Sequence, residues 1–168
     1  MYLGALLADG GSDPIGLSGR RGRIFEQLRV NLNHHPATET VAVRPTRDQK
    51  DRKLVAHFDT QILVDGLVDA DEAKLEINWW THPVGIDDQF KFHYVESSGY
   101  DCGWHRQPHP EESDIPFDHF QQRASPGSDY QYQGVDFLED TPVGLLWEVT
   151  RTRLPRIIRA RYDSETEF

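Results

Sequence analysis

The chain has one cysteine, one methionine and only four lysines among its 168 residues, and it has no run of eighteen apolar residues. A lone Cys102 cannot close an internal disulfide, which agrees with a reducing compartment and excludes zinc motifs built on cysteine pairs. Without a long apolar run, a membrane-spanning helix is not expected. The opening MYLGALLADGG has neither the basic start nor the small-residue cleavage pattern of a secretory signal, so the expected location is the cytoplasm, with no membrane partner. Lysine is confined to Lys50, Lys53, Lys74 and Lys91, and 28 acidic against 18 basic residues leave a net charge of -10. Scarce lysine with abundant carboxylate is similar to the composition of proteins from salt-loving archaea. In such a cell, screening at molar salt extends only ~3 Å, so acidity by itself says little about partners.

The length supports one domain over 1–168, with 1–18 and 163–168 expected to be flexible. Residues 19–32 place Ile24, Phe25, Leu28 and Leu32 at helical spacing, with Ser18 as a possible cap and Asn31, Asn33 and Pro36 ending the run. Val41 to Val43 gives a first strand, and the charged segment 44–53 a solvated hairpin or loop. Leu54 to Leu63 alternates around Ala56, Phe58 and Ile62, and an acidic loop near 65–72 turns the chain. Ala73 to Trp80 and Gln89 to Val95 follow, with Leu75, Ile77, Trp79, Phe90, Phe92 and Tyr94 on one face and Lys74, Glu76, Lys91 and His93 on the other. Ser97 to Gly99 reads as a turn into a strand over 101–107, and 118–123 reads as a further strand. Thr141 and Pro142 start a closing helix that Pro155 breaks or kinks. The expected class is α+β: an antiparallel sheet of four to six strands, helices packed on one face, and helices at both ends of the chain.

The densest chemistry lies in GWHRQPHPEESDIPFDHFQQR (103–123), which holds three histidines and three prolines. Imidazole titrates nearest neutral pH, so proton transfer and metal binding are the first reactions to consider. His93 faces away from Phe92 and Tyr94. On the next strand either His105, or Trp104 with Arg106, shares its face, and parity leaves the choice open because a bulge at the turn would shift the register.

The succession AKLEINWW, FKFHYVE, CGWHRQPHP, DHFQQR and a closing helix resembles the TumE-like family of prokaryotic toxin–antitoxin toxins, over residues 54–150 as a family-like core. The residues that carry the resemblance are His93, Tyr94, Trp104, Arg106, His109 and His119. His105 stands where the family often has an acidic residue, and His119 beside Asp118 stands where it has paired histidines. The resemblance implies the toxin of a type II system, inhibiting growth through RNA or translation, held by a cognate antitoxin encoded in a neighbouring gene. With RNA as the partner and no cofactor, metal-independent cleavage needs a base for the 2′-OH, an acid for the 5′ oxygen and a cation on the phosphate. His109 and His119 are the candidate acid–base pair, with His105 beside them and Arg106 on the phosphate. His93, Tyr94 and Trp104 are candidates for substrate binding, the aromatics by stacking under a base. Two readings stay open beside this one: a non-catalytic interaction module with an open sheet face, and a metal site made of Cys102, His105, His109 and His119, whose spacing fits no standard zinc motif. The arginines of the last helix, Arg151 to Arg161, offer an acidic antitoxin segment a cationic surface.

Overall fold

Seven antiparallel strands in sequence order form the centre of the computed structural model, which describes residues 17, 19–65, 72–109 and 111–165. They are β1 (Thr38–Pro45), β2 (Arg52–Phe58), β3 (Ala73–Trp80), β4 (Gln89–Glu96), β5 (Asp101–Arg106), β6 (Asp118–Arg123) and β7 (Gln131–Gly134). Each strand pairs with the next, as a meander of hairpins requires. Among the described residues the helices are α1 (Gly19–Asn33), the single turn α2 (Thr60–Leu63), α3 (Pro142–Trp147) and α4 (Leu154–Glu165), with a π-helical segment (Glu148–Arg153) joining the last two. The proposed Ser18 cap and the loop over 66–71 lie outside the described residues, as do 1–16 and 166–168. Among the described residues no helix is long and apolar enough to cross a membrane.

Strict alternation explains β3 and β4: buried and half-buried residues succeed one another along both. Leu75, Ile77 and Trp79 of β3 and Phe90, Phe92 and Tyr94 of β4 join one hydrophobic cluster. The same cluster takes in Ile24, Phe25, Leu28 and Leu32 of α1, Leu145 and Leu146 of α3, Val149 of the π segment, and Leu154 and Ile158 of α4. The register carries this face onward, since Phe92 pairs with Trp104 and Trp104 with Phe120. Large aromatics dominate its energetics because each buries roughly 150–250 Å².

The sheet has seven strands where four to six were expected. The segment Leu54 to Leu63 is not one strand: β2 stops at Phe58, and Asp59 accepts hydrogen bonds from the backbone N–H groups of Gln61 and Ile62, capping α2. Ile62, expected on the inward face of a strand, is therefore 51% exposed. β7 escaped the sequence reading because it has only four residues and its alternation is too short to register. At the C-terminus, Thr141 caps α3 with Pro142 in the first turn, as expected. The disturbance at Pro155 takes the form of the widened turn just before it. Proline has no N–H to give and its ring clashes with the carbonyl four residues earlier, so a local π geometry lets the helix continue. α4 then runs to Glu165, into the segment expected to be a tail.

Candidate functional site

The register resolves the parity question left by the sequence. Lys91 lies opposite His105, and His105 opposite His119, while His93 lies opposite Gly103 and Gly103 opposite Gln121. His93, His105 and His119 thus share the sheet face away from the hydrophobic cluster. Their rings form a row, with centroids 5.7 Å apart from His93 to His105 and 5.2 Å apart from His105 to His119.

Gly103 makes the row possible. A Cβ there would lie 2.6 Å from both His93 Nδ1 and His105 Nε2, and 3.1 Å from the Phe92 carbonyl oxygen. The two imidazoles fill the space that any side chain at 103 would claim. His105 is 3% exposed and His119 fully buried. Both ring nitrogens of His105, and Nε2 of His119, have no hydrogen-bond partner of good geometry among the described residues, although the Gln121 side chain lies close enough to act on the His119 ring. Buried polar atoms are nearly always paired, so three ring nitrogens without a partner among the described residues single this row out as the candidate site.

Protonation follows from these surroundings. Burial, reinforced by His93, Lys91 and His119, drives the His105 pKa down to about 2, leaving a neutral ring. Burial also lowers the His119 pKa, against the opposing pull of the Pro116 carbonyl. His119 Nδ1 donates to that carbonyl at 2.9 Å, which fixes the tautomer and leaves the Nε2 lone pair free to accept a proton.

At one end of the row, His93 Nε2 lies 3.1 Å from Asp101 Oδ1. Arg123 Nε donates to Asp101 Oδ2 at 2.7 Å. Burial would raise the Asp101 pKa, but hydrogen bonds from His93, Arg123 and Tyr130 outweigh it and hold the carboxyl at about 2. At the other end, the connection between β5 and β6 brings His109 over β7. His109 Nδ1 accepts from the Glu112 N–H at 3.2 Å, and Nε2 then donates to the Tyr132 hydroxyl, also at 3.2 Å. Tyr132 is in ring contact with both His109 and His119, at 5.3 and 6.0 Å. The expected pair His109 and His119 therefore flanks a single tyrosine.

Three other expected site residues lie elsewhere. Tyr94 is fully buried in the cluster, and its hydroxyl donates to Glu96 at 3.0 Å. Trp104, 2% exposed, packs on Phe120. Neither ring is available to stack under a base. Arg106 faces the cluster side as well, where it grips Asp118 with two hydrogen bonds of 2.8 and 3.0 Å and lies over Phe90 and Phe137, so the phosphate role expected of it has no support from its position. Cys102 is opposite Tyr94 in register and buried, which removes it from the histidines and dissolves the four-ligand metal set. Among the described residues, no group of three or more histidine, cysteine, aspartate or glutamate side chains is placed to hold an ion.

Asp101, Gly103, Gln121, Tyr132 and Lys91 belong to the face but were not singled out from the sequence. The signal for Asp101 and Gly103 was present: both have the parity of His105 on β5. Nothing local marks Tyr132, whose place depends on the unrecognised β7.

The C-terminal arginines are largely committed to internal partners. Arg153 pairs with Glu148 at 2.7 Å, Arg159 with Asp65 at 3.2 Å and Arg161 with Glu96 at 2.5 Å, while Arg151 lies 4.0 Å over the Trp147 ring.

Compared with models of protein families, residues 33–153 match the family described as Toxin TumE. No curated protein and no solved structure matches the chain. The matched region runs from the end of α1 to the end of the π segment. It contains all seven strands and the whole imidazole row, and with the larger part of the sequence inside it, this chain belongs to the TumE toxin family.

Proposed function

We propose that this chain is the growth-inhibiting component of a toxin–antitoxin pair and that it acts on RNA through the imidazole face of its sheet. The observation that carries the reading is the buried row of histidines with three unpartnered ring nitrogens, flanked by an ionised aspartate and a hydrogen-bonded histidine–tyrosine pair. Family membership supports the toxin part; the RNA part rests on the match between these groups and the demands of 2′-OH attack.

His119 is the proton acceptor in this mechanism. Its Nδ1 is tied to the Pro116 carbonyl on a ring kept neutral by burial, and its Nε2, covered in the fold, meets the 2′-OH once the side chains against it, Tyr132 among them, shift aside. His109 supplies the proton to the departing 5′ oxygen from its imidazolium form, which arises when Nδ1 gives up the Glu112 N–H and takes a proton, with Tyr132 holding the ring at Nε2. The 2′ oxygen attacks phosphorus as His119 takes its proton; the phosphorus–5′ oxygen bond breaks as His109 gives one up, leaving a 2′,3′-cyclic phosphate and a 5′ hydroxyl. His105 and His93 continue the face towards Asp101. A cognate antitoxin would silence the site, and Arg151 and Arg156 are the members of the C-terminal arginine run without a carboxylate pair among the described residues.

Inducing the chain alone in a host tests the reading. The wild type should arrest growth, and His119→Ala should relieve the arrest in a protein that retains its circular dichroism and thermal transition. Full toxicity of the folded variant would remove His119 from the mechanism.

A further inference from the structure

The imidazole row accounts for bond breaking but leaves open how the strand is gripped, since Arg106 faces the other way. Next to the row, on the same face, lies a cleft of about 710 Å³ between the β1–β2 turn and the ends of β3 and β4. Its lining includes Arg47, Asp48, Asp51, Asn78, Trp80 and Lys91. We propose that this cleft is a nucleotide subsite for single-stranded RNA, in which the Trp80 ring stacks on a base and Lys91 contacts the adjoining phosphate; the inference rests on the RNA reading of the face.

Three observations carry it. Trp80 is a half-buried tryptophan on the polar side of β3, and its ring is held in place: Nε1 donates to Asp51 at 3.0 Å, and Asp51 is in turn paired with Arg21 at 2.8 Å. A fixed, partly exposed indole is a stacking platform whose ordering cost is already met, and stacking tolerates any base.

Lys91 differs from the other lysines of the face. Lys53 and Lys74 are both neutralised by Glu76, at 2.6 and 2.9 Å. Lys91 has no carboxylate partner among the described residues; its Nζ lies over one face of the Trp80 ring, 5.9 Å from the centroid, so a base stacks on the indole only beside or opposite it, and burial lowers its pKa. A half-buried ammonium without a counter-ion is poised for an anion. The carboxylates of the cleft do not compete for it: Asp51 is engaged by Arg21 and Trp80, and Asp48 accepts from the Thr46 hydroxyl at 2.6 Å and the Lys50 N–H at 3.1 Å.

The third observation is continuity. Lys91 is directly opposite His105, which is directly opposite His119, so the cation and the proton acceptor are two strands apart, about 10 Å. One extended strand of RNA can occupy both.

Binding of a labelled single-stranded RNA octamer carrying 2′-O-methyl groups, which block cleavage, is measured by anisotropy at several salt concentrations. The wild type should bind and show quenched tryptophan emission. Trp80→Ala should weaken binding on the order of tenfold, whereas Trp80→Phe, which also gives up the bond to Asp51 but keeps a ring, should retain most of the affinity. Lys91→Gln should weaken binding and reduce the slope of log K against log salt by about 0.7. If both Trp80→Ala and Lys91→Gln bind like a wild type that cleaves unmodified RNA, the cleft is wrong and the RNA reading stands. If the wild type binds no octamer, both fall.

Discussion

Gly103 decides whether the histidine face exists. The nearest atoms to a Cβ there are ring nitrogens of His93 and His105 and a backbone oxygen, and the oxygen cannot swing away. Gly103→Ala should therefore push both imidazoles off their positions and destabilise the protein by about 1–3 kcal/mol, read as a lower urea midpoint with an unchanged m-value. A neutral outcome would mean that the rings are not packed as described. The same rings make stability depend on pH. His105 has a folded pKa of about 2 against an unfolded value of about 6.5, so below pH 6.5 the unfolded chain takes up a proton that the folded chain refuses. Stability should fall by about 1.4 kcal/mol per pH unit for this group between pH 6 and pH 4, with His119 adding to the loss in the same direction. His105→Gln should flatten the slope of urea-unfolding free energy against pH over that range. An identical slope would show that His105 does not stay neutral in the fold.

At the scale of elements, α4 is tied to the sheet by a buried carboxylate. Glu96, at the end of β4 and 3% exposed, accepts from the Tyr94 hydroxyl, the Ser98 hydroxyl and Arg161. Arg161→Ala would leave that charge without its cation, so a loss of about 3 kcal/mol is expected in thermal or urea unfolding, well above the ~0–1 kcal/mol of a surface pair. A change under 1 kcal/mol would show that α4 is not anchored there. The arginine run thus serves mainly as structure, a role its charge pattern could not reveal because the partners are distant in sequence. Other elements were legible. β3 and β4 announce themselves by period-two alternation of large apolar residues, aromatic throughout in β4, and the Thr141–Pro142 start of α3 by its cap. α2 was not, because Ile62 happens to keep the parity of Ala56 and Phe58 and only the Asp59 side chain redirects the chain. The candidate face was half legible: the sequence singled out His93, His105, His109 and His119, which the structure places on or beside one face. It could not choose between His105 and its neighbours Trp104 and Arg106, since the choice depends on the pairing of β4 with β5. Once that register is known, Trp104 and Arg106 move to the helix side, where the alternation of β4 already puts Tyr94.

For the whole molecule, the sheet separates two tasks. One face carries the hydrophobic cluster that holds α1, α3 and α4, and the other keeps ring nitrogens buried without partners among the described residues, an arrangement that costs stability and fits the proposed site. The charge of -10 works against an anionic substrate at long range. In the proposed reading, recognition of that substrate comes from local groups such as Lys91 and from stacking. In the proposed mechanism this face cleaves RNA by moving a proton from the 2′-OH to His119 and another from His109 to the 5′ oxygen. The most direct test incubates the purified wild-type chain with single-stranded RNA in the presence of a chelator and analyses the new ends. The account predicts 2′,3′-cyclic phosphate termini, a bell-shaped dependence of rate on pH, no cut where the scissile ribose is 2′-deoxy, and a loss on the order of 10²- to 10⁴-fold in either His109→Ala or His119→Ala. RNA left intact under all these conditions by a protein that still arrests growth would contradict it.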